Sequence, residues 1–179
     1  MVETVELSIV VPVFNEESVL RALYERLKRV CGDLGKSSEL VFIDDGSRDR
    51  SFPILSKLRE DDPRIRVVRL TRNFGQQAAV LAGFRYSRGE TVVQIDADLQ
   101  NPPEEIPRLL EKLEEGYDLV TTVKKNRGDG TWRVLGGKFL LWFGQKIVGN
   151  GFKLNLSSFR ALRRSVIDKI EACSERSHY

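Results

Sequence analysis

The 179 residues carry 29 Lys or Arg against 26 Asp or Glu, a net charge of +3, and 41% of them are hydrophobic. That length and balance suit one folded domain with a sizeable core and exclude a disordered chain. Even Phe139–Phe143, among the longest uninterrupted apolar runs, falls far short of the roughly 20 residues a membrane-spanning helix needs.

Short runs rich in β-branched residues alternate with stretches of helical period. Leu7–Val13 reads as a buried strand. Val19, Leu20, Leu23, Leu27 and Val30 then fall on one helical stripe. Leu40–Ile43 is a second strand, followed by a helix with Ile54, Leu55 and Leu58 inward. Ile65–Leu70 is a third strand, and Ala78, Leu81 and Ala82 mark a small-residue helix face after it. Thr91–Ile95 is a fourth strand; Ile106, Leu109, Leu110 and Leu113 form the next core stripe; Asp118–Val123 is a fifth strand. Lys124–Thr131 reads as a glycine-containing loop, and Trp132–Val148 as a helix with a broad apolar face. Such β-α alternation predicts an α/β fold, a Rossmann-like, mostly parallel sheet with helices on both faces. Ligands of these sheets bind beyond the carboxyl ends of the strands.

Charge is unevenly spread. Between Lys124 and Arg164 stand ten basic residues and a single acid, Asp129, a bias that suits an anionic partner such as diphosphate, lipid phosphate or a membrane surface. Nucleic acid is the residual explanation and is not the expected partner. Met1–Thr4 lacks the features of a signal peptide. Cys31 and Cys173 match no metal or disulfide spacing. A cytoplasmic setting is therefore expected. His178, beside the terminus, is the only histidine, so chemistry on an internal histidine is not.

Three predicted strands end in acids: Asn15-Glu16-Glu17 after the first, Asp44-Asp45-Gly46-Ser47 after the second, and Asp96-Ala97-Asp98-Leu99-Gln100 after the fourth. Clustered at one sheet edge they would repel unless a cation or hydrogen-bond donors compensate them. Alternation along an extended segment sends Asp96 and Asp98 to the same side. Hard carboxylate oxygens suit Mg²⁺ or Mn²⁺. Asn101, with Pro102 and Glu104 behind it, fits the cap of the following helix and so leaves the aspartates for ligand work. Asp45 could accept an N–H of a uracil or guanine ring, or merely cap a helix, a task Asp49 fits equally. Asn15 reads either as a site residue or as an N-cap, with Glu16 as a first-turn acid. Gly75-Gln76-Gln77 and Gly83 read as tight backbone packing. No Gly-x-Gly-x-x-Gly follows the first strand and no phosphate-loop lysine motif occurs, which disfavours dinucleotide oxidoreductases and P-loop enzymes.

These stretches resemble the polyprenyl-phosphate glycosyltransferases of glycosyltransferase family 2, from about Leu7 to the end of the chain. Asp96-Ala97-Asp98-Leu99-Gln100-Asn101-Pro102-Pro103-Glu104 carries most of the likeness; Val11–Glu16, Ile43–Ser47 and Arg72-Asn73-Phe74-Gly75-Gln76 add to it. The resemblance implies a GT-A catalytic domain over residues 1–179. It implies nucleotide contacts by Pro12, Phe14, Glu16, Ile43 and Asp45, and diphosphate contacts near Asp96 and Ala97. Lys124 stands where relatives usually carry arginine, and Arg133 matches an arginine that reaches phosphate. Mg²⁺ or Mn²⁺ would sit on Asp98 and Gln100, with Asp96, Asp98 and Arg133 carrying catalysis. Ser158 and Arg160 lie in a segment resembling the acceptor side. Relatives continue into a membrane-associated region, so this chain is expected to lack one. The full-length protein would work peripherally on the cytoplasmic face of the membrane, and a homo-oligomer is compatible.

The activity so implied is inverting transfer of a sugar from a nucleotide diphosphate, of the UDP or GDP type, to polyprenyl phosphate. Two alternatives stay open: a soluble transferase acting on a glycan or protein hydroxyl, and a nucleotide-sugar binding module without turnover.

Overall fold

A computed structural model describes residues 4–123 and 156–174. Five strands follow the predicted order: β1 (Leu7–Val13), β2 (Ser38–Asp44), β3 (Ile65–Arg69), β4 (Thr91–Gln94) and β5 (Leu119–Val123). A sixth, β6 (Leu156–Arg163), was not anticipated. The helices are α1 (Leu20–Leu34), α2 (Ser51–Asp61), α3 (Gln76–Tyr86), α4 (Ile106–Glu114) and α5 (Arg164–Ser174). The predicted helix at Trp132–Val148 and loop at Lys124–Thr131 lie outside the described residues. The chain clusters into two compact units, Met1–Val120 with Ser158–Tyr179, and Thr121–Ser157.

The sheet order is β3-β2-β1-β4-β6-β5. β1 pairs in parallel with both β2 and β4, β2 pairs in parallel with β3, and β6 runs antiparallel to β4. Since β2 and β4 flank β1 on opposite sides, the strand order reverses there, and a crevice opens at the carboxyl ends of β1 and β4. Pro12 sits at that opening. Val10 faces β4, its carbonyl accepting from Ile95 N–H at 3.1 Å. Pro12, two residues on, faces the same edge beyond the last β4 pair, Val10↔Gln94, so its missing N–H leaves no gap in the ladder.

Alternation along β1 feeds two cores. Leu7, Ile9, Val11 and Val13 pack with Leu20, Leu23 and Leu27 of α1, Leu55 of α2 and the Ile106–Leu113 stripe of α4. Val10 packs on the other face with Ala79, Val80 and Phe84 of α3 and Ile167 of α5. The α3 face is a correction: Ala79, Val80, Gly83 and Phe84 are buried, whereas Leu81 is 41% exposed. Gly83 decides it. A Cβ there would lie 2.2 Å from Val10 Cγ1, so the helix approaches the sheet along its glycine rather than along Ala78 and Leu81.

The start of α4 is a second correction. Asn101 does not cap it: a 3₁₀ turn, Pro103–Glu105, intervenes, and α4 begins only at Ile106. Pro103 forces Pro102 into an extended conformation (φ −74°, ψ 123°), which delays helix formation. Glu104 instead forms a two-pronged pair with Arg26 of α1. Among the described residues no helix is long and apolar enough to cross a membrane.

Candidate active site

A cavity of about 320 Å³ occupies the crevice, lined by Pro12, Val13, Phe14, Glu16, Asp45, Asn73, Gly75, Gln76, Ala79, Asp96, Ala97 and Asp98. Seven of the residues named from sequence meet here: Pro12, Phe14, Glu16, Asp45, Asp96, Ala97 and Asp98. Ile43 does not. Its side chain is fully buried with Val10, Val41 and Ala79 in the α3-side core. Lys124 and Arg133 lie outside the described residues. Asn73, Gly75, Gln76 and Ala79 were missed as lining residues. The available signal was position, since all follow the carboxyl end of β3.

The loops after β1 and β2 are laced together by five hydrogen bonds. Asn15 N–H donates to Ser47 Oγ (3.0 Å), Glu16 N–H to Ser51 Oγ (2.8 Å) and Glu17 N–H to Asp49 Oδ2 (3.1 Å). In return Arg48 N–H donates to Asn15 Oδ1 (2.9 Å) and Arg50 N–H to Glu17 Oε2 (2.8 Å). Asn15, at φ 56°, is therefore a loop-to-loop tie and not the cap of α1, which starts only at Leu20 without a side-chain cap. At α2 the N-cap position is Arg50, with no side-chain cap; Asp49 before it accepts from Ser51 N–H at 2.9 Å through Oδ1.

Most of the acids are compensated by protein donors. Asp44 is fully buried, accepts from Ser47 N–H at 3.2 Å, and has Arg69 Nε 3.2 Å from its other oxygen, an ion pair not aligned as a hydrogen bond. Asp45, 3% exposed, accepts from Phe74 N–H (2.8 Å) and Gly75 N–H (2.9 Å), so it holds the 72–75 loop against the cavity. Asp96 accepts from Gln76 Nε2 at 2.7 Å and from Ser158 Oγ. Gln76 is thus a site residue and not packing alone. Gly75 holds its loop by conformation (φ 91°), with nothing within 4 Å of a built Cβ.

Asp96 and Asp98 share the cavity, but not by extended alternation. β4 ends at Gln94, Ala97 and Asp98 form a turn, and Leu99 adopts φ 59°. A left-handed leucine is disfavoured; here its side chain packs against the core, and that anchor holds the turn. Asp98 is exposed and accepts from Gln100 N–H at 3.0 Å.

One acid, Glu16, is left with repulsion. Burial, then the charges of Asp98 and Asp49, push the Glu16 carboxyl above its ordinary value. Among the described residues no group of three or more His, Cys, Asp or Glu is arranged to hold a metal. The site therefore offers one or two hard oxygens facing a ligand cavity, which fits a Mg²⁺- or Mn²⁺-type ion completed by phosphate oxygens rather than an all-protein cage. Ser158 and Arg160, the acceptor candidates, are outside the cavity lining. Arg160 Nε donates to Gln94 Oε1 at 2.8 Å. Burial lowers the proton affinity of its guanidinium and the charge of Asp96 opposes that.

Residues 8–171 match the family described as "Glycosyl transferase family 2". An undecaprenyl-phosphate 4-deoxy-4-formamido-L-arabinose transferase of Pseudomonas paraeruginosa is 45% identical over 173 residues, covering 96% of this chain and 51% of the relative. The proteins of the same name from Pseudomonas fluorescens and Salmonella paratyphi B are 47% and 42% identical, over 51% and 54% of their lengths. The chain thus spans about half the length of the curated relatives it matches. Among solved structures, glucosyl-3-phosphoglycerate synthase from Mycobacterium tuberculosis, in complex with uridine diphosphate, superposes with a TM-score of 0.64 at 25% identity, covering 90% of this chain and 57% of that one. S. aureus TarS 1-349 superposes at 0.63 and 20% identity, over 93% and 49%, a likeness of fold.

Proposed function

Because this chain belongs to glycosyl transferase family 2 and has its GT-A fold, we propose that the β1–β4 crevice holds a nucleoside diphosphate sugar and that the sugar passes, with inversion, to polyprenyl phosphate. The observation that carries the reading is the convergence of Pro12, Phe14, Glu16, Asp45, Asp96, Ala97 and Asp98 on one cavity at the switch point. The structural neighbour solved with uridine diphosphate supports the donor, and the names of the curated relatives support an undecaprenyl-phosphate acceptor.

Pro12 and Phe14 form an apolar wall for the base and ribose, and Asp45 fixes the loop opposite. Asp98 and Gln100 would hold Mg²⁺ or Mn²⁺, which supplies charge neutralisation for a departing nucleoside diphosphate. Lys124 and Arg133 are assigned to the diphosphate on sequence grounds, and Asp96 to the donor. A phosphate-monoester acceptor arrives anionic, its second pKa being about 6, so the site needs no strong general base, in keeping with a chain whose only histidine is His178. A membrane surface enters as the source of the acceptor.

The test is transfer of radiolabelled sugar from a panel of UDP- and GDP-sugars, with Mn²⁺, to undecaprenyl phosphate in vesicles or to a soluble glycan. Label in the lipid fraction is expected. Label in the glycan, or donor binding without transfer even by a chain extended beyond Tyr179, would replace the reading.

A further inference from the structure

Two polar pairs stand on one side of the β4–β6 seam. Gln94 is in register with Arg160 and accepts from its Nε at 2.8 Å. Two residues past Gln94, Asp96 Oδ2 accepts from Ser158 Oγ, two residues before Arg160, as the antiparallel register requires. The other Asp96 oxygen accepts from Gln76 Nε2, at the first residue of α3, at 2.7 Å. The carboxylate is thus gripped by two elements, 20 and 62 residues away in the chain. Gln76 lines the cavity; Ser158 is not among the lining residues and reaches it through Asp96.

We propose that Gln76 and Ser158 are positioning residues which hold the Asp96 carboxylate in one orientation toward the cavity, and that Ser158 serves the donor side of the reaction through Asp96 rather than touching the acceptor. The proposal rests on reading the crevice as the donor site. Both donors are neutral, so they orient Asp96 without cancelling its charge. A carboxylate oxygen accepting one hydrogen bond keeps a second lone-pair direction for a ligand. A lysine at position 76 would fix the same oxygen but neutralise it; glutamine does not. Arg160 completes the arrangement from behind, its guanidinium 5.8 Å from the Phe84 ring and bonded to Gln94, which locks β6 and so places Ser158.

The test is a double-mutant cycle on Gln76→Ala, Ser158→Ala and Asp96→Asn, read in two ways. Without ligand, thermal unfolding should show non-additive losses for each pair containing Asp96→Asn, since these bonds exist in the free protein. With ligand, titration of uridine diphosphate in the presence of Mn²⁺ should be weakened about tenfold by either alanine in the wild-type background and little further in the Asp96→Asn background. Ser158→Thr, which keeps the hydroxyl, should restore affinity, and Gln76→Glu, which keeps the length but not the donor, should not. Additive effects in both readouts, or a Gln76→Ala loss that persists undiminished in Asp96→Asn, would overturn the proposal. If the unaltered protein fails to bind uridine diphosphate, the donor reading falls, and the thermal cycle alone then decides whether the two residues act through Asp96.

Discussion

Gly46 lies against the backbone of Arg72: a Cβ at position 46 would stand 2.6 Å from the Arg72 carbonyl carbon and 2.8 Å from Asn73 N. The loop after β2 and the loop after β3 touch main chain to main chain, and the next-door Asp45 closes the contact through Phe74 and Gly75 N–H. This is the hinge on which one wall of the cavity depends.

Gly46→Ala should therefore be costly twice over, since the φ of 70° is strained for alanine and the obstacle is backbone that cannot rotate away. A loss of at least about 2 kcal/mol is expected, read by urea denaturation, with nucleotide affinity falling alongside. A stability change within error would show that the loops separate easily.

Gly83 makes a different kind of close approach, to the side chain of Val10. Gly83→Ala should destabilise by about 1–3 kcal/mol through overpacking. Val10→Ala, itself destabilising, should recover part of that loss in the double variant because it removes the opposing methyls. Equal unfolding midpoints for Gly83→Ala and wild type would refute the packing account.

Asp98→Ala should abolish the Mn²⁺-dependent thermal stabilisation by uridine diphosphate. Its stability without ligand should shift by no more than about 0.5 kcal/mol, because Asp98 is exposed and its loss also relieves Glu16. Unchanged shifts with ligand would remove Asp98 from the site.

Glu39 provides the pH prediction. It is 2% exposed; burial pushes its carboxyl up, but the Ser8 hydroxyl, the Arg88 N–H and the Arg88 guanidinium outweigh that and hold it below its ordinary value. A carboxyl lowered on folding adds stability at pH values above its unfolded pKa, about 4.3, and that contribution is lost as pH falls through the lowered folded value. Glu39→Gln should cost about 2 kcal/mol at pH 7, toward the low side for a buried pair because Arg88 can rehydrate. The gap to wild type should narrow below pH 4. Denaturation curves at pH 7, 5 and 3.5 check this; a constant gap would refute the linkage.

Much of the fold was legible because each strand and helix writes its own pattern. Leu7–Val13 is a largely apolar, β-branched-rich segment whose strand limits match those read from sequence, and the Ile106–Leu113 stripe buries all four of its residues. The α3 face was misread in part, because Ala78 and Leu81 look equivalent to Ala79 and Gly83 until Val10 is placed beside them, whereas Ala82 does pack, partly buried, on that core. β6 went unread because an antiparallel strand inserted beside β4 has no local signature that distinguishes it from a loop segment. Asn15 showed the same limit, since an asparagine before a helix looks like a cap until the β2 loop supplies Arg48.

The order of residues along the chain determined that acids would stand at the ends of β1, β2 and β4, because strand period and turn chemistry are local properties. Tertiary structure alone decided what those acids do. All four line the cavity, but Asp45 accepts the Phe74 and Gly75 amides, Asp96 is shared between Gln76 and Ser158, and Glu16 is left with the repulsion of Asp98. The reason is physical: a carboxylate's role is set by which donors come within about 3 Å of it, and here those donors come from elements 20 to 62 residues away, brought near by the packing of helices on a sheet.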